Sequence, residues 1–375
     1  MSDPNQRTQL LSSARSIVVK IGTNVVTRPD GRLDKPIVRR LAEQVVLLCR
    51  RGFDITVVSS GAIGAGIGQL RLGVKPKSIA MLQATAAVGQ PALINLFNEA
   101  LRRHGLQAAQ ILLTRADFED RRRYLSVRST IAALHQFATV PIVNENDTVA
   151  VDEIRYGDND ILAALMCNLL KADLLILLTV VDGLMQNGEI VQTVHRIDRN
   201  IRQAATAVTS ALGTGGMATK LQAARTVTEA GETALIANGR TRNILPRLLA
   251  GEPLGTFFAP AGRRMASRKR WLALAVRPAG QLVVDHGAAA ALCESGKSLL
   301  PVGVARVKGP FARGDVVRVL DPKGRLVGQG LVNYSSQELQ RIKGLHTDQA
   351  AQKLRRKRAD EVIHCDNLAL APRRD

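Results

Sequence analysis

Aromatic side chains are nearly missing from this 375-residue chain, where one Trp, three Tyr and seven Phe make up 3%. That scarcity argues against a surface that grips single-stranded nucleic acid by stacking bases on rings, and Trp271, Phe311 and Tyr334 form no stacking series. Cysteine is as sparse. Cys49, Cys167, Cys293 and Cys365 lie far apart, without the close pairs of a zinc or redox motif, and read as free thiols. The six histidines show no ligand spacing, so no transition metal is implied. No apolar run approaches the roughly 20 residues that span a bilayer; Leu174 to Val181, the longest strong one, reads as a buried strand. Met1 to Arg15 is polar and lacks the apolar segment of a signal peptide. A cytoplasmic protein with no membrane partner is the expectation.

A P-loop is also absent, since it needs Gly, four residues, then Gly-Lys-Ser/Thr. Gly296-Lys297-Ser298 comes nearest, but Ala291 stands where the first glycine belongs. Acidic residues are in deficit, 32 against 52 Lys and Arg, for a formal charge of +20. Up to Met265 there are 32 bases and 22 acids, and beyond it 20 and 10, so the net positive charge per residue is more than twice as high in the C-terminal part. Such an excess invites a nucleic-acid reading, yet it equally describes a solvated face.

What is present is an alternation. β-branched or apolar runs at 16–21, 54–60, 108–113, 140–143, 174–179 and 233–236 read as strands. Between them, helical apolar spacing marks 34–51, 79–103, 126–137, 160–170 and 217–230. Strands apolar on both faces and separated by helices predict an α/β three-layer sandwich around a mainly parallel sheet. Its last strand is expected at 255–258, so the first domain is drawn as 1–262, with a linker at 263–280. The rhythm then changes to short strand-like runs, at 271–276, 281–284, 299–307, 315–320 and 324–332. With helices near 288–294 and 336–342, they predict a small β-barrel-like domain over 281–362 and a frayed tail over 363–375.

Chemistry concentrates at the ends of the predicted strands. Val18-Val19-Lys20-Ile21-Gly22-Thr23 sets a lysine inside an apolar strand, where one is rarely found without a partner. Gly213-Thr214-Gly215-Gly216-Met217-Ala218-Thr219-Lys220 offers main-chain donors at a helix start plus a second lysine. Together they describe a nucleotide phosphate site. Ser59-Ser60-Gly61-Ala62 closes a strand at its carboxyl end, either to hold a carboxylate or, through the glycines from Gly61 to Gly68, to let a helix pack closely. Asn144-Glu145-Asn146-Asp147 and Gly157-Asp158-Asn159-Asp160 are each readable as a turn or cap; together they suit an amine-bearing substrate. Leu113-Thr114-Arg115-Ala116-Asp117 reads as the start of a solvated loop.

In order and spacing these motifs resemble the glutamate 5-kinases of the amino acid kinase superfamily over nearly the whole chain, and the part from about Gln281 resembles a PUA domain. The resemblance implies the amino acid kinase fold and transfer of a phosphoryl group from ATP to the side-chain carboxylate of L-glutamate. It implies Lys20 and Lys220 on the phosphates, with Asp160 between them as the third catalytic residue. Thr179, Val180, Thr214, Gly215, Gly216, Met217, Ala218 and Thr219 would complete the ATP site, and Ser60, Asp147 and Asn159, with Asn144 and Asp158 nearby, would bind glutamate. Mg2+ would be held mainly by nucleotide phosphates. Proline as feedback inhibitor, a homo-oligomer and a glutamate 5-phosphate reductase taking the labile product are further implications. The chain departs from the family at Val180, where an acidic residue is usual, leaving Asp182 as the substitute if a carboxylate is needed. The alternatives are a sibling kinase for another carboxylate and an RNA-binding protein acting through the basic C-terminal domain.

Overall fold

The computed structural model describes residues 4–149, 159–206, 216–262, 264–354 and 360–371. These fall into two compact units, Met1–Arg264 and Met265–Asp375. In the first, the described residues form ten strands in chain order: β1 (Ser16–Ile21), β2 (Asp54–Ser59), β3 (Gln107–Leu113), β4 (Thr139–Glu145), β5 (Leu174–Thr179), β6 (Met185–Gln186), β7 (Glu189–Ile190), β8 (Thr193–Val194), β9 (Thr233–Asn238) and β10 (Thr256–Phe258). Eight of them form one sheet in the order β3-β4-β2-β1-β5-β9-β10-β8, while β6 and β7 pair as a separate hairpin. The sheet is mixed: β9 and β10 run antiparallel, and the other neighbours run parallel.

Alternation along β1 shows how the sheet divides its work. Ile17, Val19 and Ile21 enter a core shared with Val38, Leu41 and Val45 of the helix Lys35–Arg50 and with Leu93 and Phe97 of the helix Ile79–Arg102. Lys20 faces the other way, towards the helix Asn159–Leu170, because successive strand residues point to opposite sides. Ile79–Arg102 is, among the described residues, the one helix long and apolar enough to cross a membrane by length and composition. It carries buried Gln90 as well as buried Leu93 and Phe97.

Glycine places that helix. A Cβ on Gly66 would stand 1.9 Å from the Thr85 carbonyl oxygen, and one on Gly89 would stand 1.9 Å from that of Ala62. The run from Gly61 to Gly68 therefore serves close packing, but of helix Ala62–Leu70 against helix Ile79–Arg102. Gly61 itself, at φ 116°, makes the left-handed turn out of β2.

The second unit holds β11 (Gly280–Val284), β12 (Val304–Lys308), β13 (Val316–Leu320), β14 (Leu326–Leu331) and β15 (Leu368–Leu370), in the order β12-β11-β13-β14-β15. Two expectations are corrected here. Trp271 to Val276 is not a strand: Ser267–Leu274 is a helix, and its Leu272 and Ala273 carbonyls accept from Gln329 Nε2 at 2.5 and 2.8 Å. Nor does the chain simply fray after Asp366, since β15 pairs with β14 and buries Leu368 and Ala369. Cβ atoms on Gly328 and Gly330 would stand 2.4 and 2.6 Å from the carbonyl oxygens of Ala369 and Asn367, so those glycines admit the last strand.

Candidate active site

The carboxyl ends of β4, β2, β1 and β5, adjacent in the sheet, converge on one region, as ligand sites of open α/β sheets do. Main-chain bonds tie these ends together: Gly22 N donates to Leu178 O at 3.0 Å and Ser60 N to Ile21 O at 3.1 Å. At the centre is Asp160, in the first turn of the helix Asn159–Leu170 and 0% exposed. Its Oδ1 lies 2.6 Å from Lys20 Nζ and its Oδ2 lies 3.1 Å from Lys220 Nζ. Thr219 Oγ1 donates to the same Oδ2 at 2.8 Å. Two ammonium groups 200 positions apart in the chain thus share one carboxylate, with a surplus of positive charge.

The electrostatics follow from that sharing. Burial by itself would raise the Asp160 pKa, but the charges of Lys20 and Lys220 and the hydrogen bonds from Lys20 and Thr219 outweigh it, holding the group below the usual carboxylate range. Burial lowers the pKa of Lys220; Asp160 opposes that shift and Lys20 adds to it. Gly22 keeps the space open: a Cβ there would meet Leu178 O at 3.2 Å and Lys20 Nζ at 3.7 Å.

A second cluster is built from amides. Asn159 Nδ2 donates to Ser60 Oγ and to Asn144 Oδ1, each at 2.9 Å. Asn144 Nδ2 donates to Gln90 Oε1 at 2.7 Å. The structure brings together three of the five expected substrate residues, Ser60, Asn144 and Asn159. Asp147 stands on the turn after β4, where burial raises its carboxyl to about 6, and it is not bonded to this cluster among the described residues. Asp158 lies outside the described residues.

Of the residues expected to meet ATP, Gly216 caps the helix Met217–Glu229, so the amides of Met217, Ala218 and Thr219 form its amino-terminal turn. Met217 is buried and Ala218 exposed. Thr214 and Gly215 lie outside the described residues. Thr179 ends β5 and its carbonyl accepts from Gly239 N at 2.8 Å, while Val180 is 39% exposed. Asp182 accepts from Asn238 Nδ2 at 2.9 Å, so the acid nearest to Val180 in the chain is engaged at the end of β9. The Thr114 to Asp117 segment is no loose loop. Thr114 caps the short helix Arg115–Glu119, with its N and Oγ1 donating to Asp117 Oδ2 at 2.8 and 2.9 Å.

Sequence reasoning missed Gln90. It lies mid-helix, 9% exposed, in a stretch with no motif of its own. The one signal was a long polar side chain on a buried apolar helix face, where an amide needs a partner.

Comparison with known proteins identifies the family. Residues 15–238 match the model of the amino acid kinase family and residues 280–354 that of the PUA domain. A glutamate 5-kinase of Caldanaerobacter subterraneus is 44% identical over 364 residues, covering 95% of this chain and 98% of the relative. That of Moorella thermoacetica is 45% identical, covering 96% and 97%, and that of Geobacter sulfurreducens 43% identical, covering 97% and 100%. On both domain matches and on identity sustained end to end, the chain belongs to the glutamate 5-kinase branch of the amino acid kinase family.

Proposed function

We propose that this protein transfers the terminal phosphoryl group of ATP to the side-chain carboxylate of L-glutamate, forming L-glutamate 5-phosphate, the first step towards proline. The observation that carries the reading is the pair of ammonium groups on Asp160. A glutamate carboxylate, with a reference pKa of about 4.3, is ionised at neutral pH and needs no general base. What the site must supply is in-line alignment and positive charge where negative charge spreads. Lys20 and Lys220 supply the charge, and Asp160 fixes both while leaving one positive charge unneutralised. The helix start at Gly216 to Thr219 adds amides and a favourable dipole for the phosphates.

Thr179 and Val180 lie on the nucleotide side, and Thr214 and Gly215 belong to the expected phosphate wrap. Ser60, Asn144 and Asn159, with Asp147 and Asp158, hold glutamate in this reading. Both Asp160 oxygens are engaged by ammonium groups, so this carboxylate is poorly suited to ligate a cation. A magnesium ion entering with ATP takes its ligands from phosphate oxygens and water. The reading extends to a cytoplasmic setting, inhibition by proline, a homo-oligomer and a reductase for the product, with the second unit as a barrel-like PUA module in regulation or assembly.

The test is incubation with ATP, magnesium and a panel of amino acids, trapping acyl phosphate as the hydroxamate. Glutamate alone should give signal; equal signal from aspartate or acetylglutamate, or none from glutamate, would sink the reading. Lys220→Ala should cut the turnover rate about 10²- to 10³-fold, the scale of losing one transition-state donor, with glutamate KM changed little. An unchanged rate would remove Lys220 from the catalytic set.

A further inference from the structure

A side-chain amide has two ends alike in shape and opposite in hydrogen-bonding sense, and the sense must be read from partners that cannot reverse. Here such a partner exists. The main-chain N–H of Glu145 donates to Asn144 at 2.9 Å, which makes the receiving atom Oδ1. Asn144 Nδ2 therefore faces Gln90, and Gln90 presents its oxygen. The same Asn144 Oδ1 takes a second bond from Asn159, so Asn159 turns its Nδ2 inward and spends both hydrogens, on Asn144 and on Ser60. Two consequences follow at the far end of this relay. Asn159 Oδ1 is buried with no partner among the described residues. Ser60, an acceptor in its bond with Asn159, retains its hydroxyl proton to give.

We infer that Gln90 is a positioning residue for substrate selection: by accepting from Asn144 Nδ2 it completes the relay that the Glu145 N–H orients and steadies it in the sense that offers the Asn159 oxygen to a ligand's ammonium group. This deepens the glutamate reading and rests on it. An amino acid brings both an ammonium donor and a carboxylate acceptor, matching the Asn159 acceptor and the Ser60 donor. Gln90 does not need to touch the ligand. It sits one residue after Gly89, whose packing on Ala62 fixes the helix from which it reaches Asn144. Without an acceptor at position 90, Asn144 Nδ2 loses the partner the structure gives it, and the cost of that buried unpaired donor works against the bonds from Glu145 and Asn159 that hold the other end of the amide.

The experiment compares Gln90→Met and Gln90→Glu in the full chain, measuring glutamate KM, ATP KM and turnover rate separately in the hydroxamate assay. Methionine keeps length and removes the acceptor, and it should raise glutamate KM about tenfold or more, with ATP KM and turnover within about twofold. Glutamate at position 90 keeps an acceptor and should return glutamate KM to within about threefold of the parent. Thermal unfolding reports whether each variant folds, and Gln90→Leu carries the methionine expectation if that variant does not. Unchanged glutamate KM, equal damage from Met and Glu, or a matching rise in ATP KM would each overturn the inference. A parent protein giving no glutamate-dependent hydroxamate would sink the functional reading instead, whereas an active parent with a silent position 90 sinks only this one.

Discussion

At the scale of single residues, the proposed role of Asp147 in holding glutamate sets binding against stability. Burial raises its carboxyl from an ordinary 3.8 to about 6. Between those values the folded chain holds a proton that the unfolded chain has released, so stability falls as pH rises through the window and the cost is fully present above it. Asp147→Asn should therefore unfold at higher temperature than the parent at about pH 7.5, as measured by calorimetry. Binding runs the other way, because only the ionised carboxylate attracts an ammonium group. Glutamate KM of the parent should climb as pH drops below about 6, and the Asn variant should lose that inflection while binding more weakly than the parent above about pH 6. A KM profile against pH decides both. Lys20 was legible in the sequence because an ammonium inside an apolar strand demands a counter-charge. Gln90 was not, because its partner Asn144 lies 54 positions away and no local pattern links them.

At the scale of elements, the contact between helices Ala62–Leu70 and Ile79–Arg102 is the joint that places the amide cluster. A Cβ at position 89 would stand 1.9 Å from a carbonyl oxygen and 2.3 Å from Gly66 N, and backbone atoms cannot rotate away as a side chain can. Gly89→Ala should cost about 1–3 kcal/mol, the range of core overpacking, in urea unfolding. It should also raise glutamate KM, since Gln90 moves with its neighbour. The parallel strands were readable in advance because burial on both faces leaves continuous apolar runs, as in Leu174–Thr179. The helix Ser267–Leu274 was not, because Trp271-Leu272-Ala273-Leu274-Ala275-Val276 carries no polar residue to reveal either period. Distant partners decided it: Gln329 of β14 bonds the helix carbonyls.

At the scale of the molecule, all the site residues placed by the structure belong to the unit Met1–Arg264. The second unit depends on a strand contributed from far along the chain, since β14 meets β15 across 36 intervening residues. Deleting Leu368 to Asp375 uncovers the edge of β14, where the three atoms nearest to the open face of Gly328 all belong to Ala369 and Leu370. In calorimetry the deletion should lower the transition of the second unit and leave that of the first in place, with kinase activity within about twofold. A fall of both transitions together would refute this division. The order of the strands also sets a schedule for the newborn chain. Every strand of the catalytic sheet has been made by Phe258, whereas β15 arrives 110 residues later. At about 5–20 residues per second that is a wait on the order of ten seconds, during which the ribosome carries a chain whose kinase sheet has all its strands and whose second sheet still lacks its last.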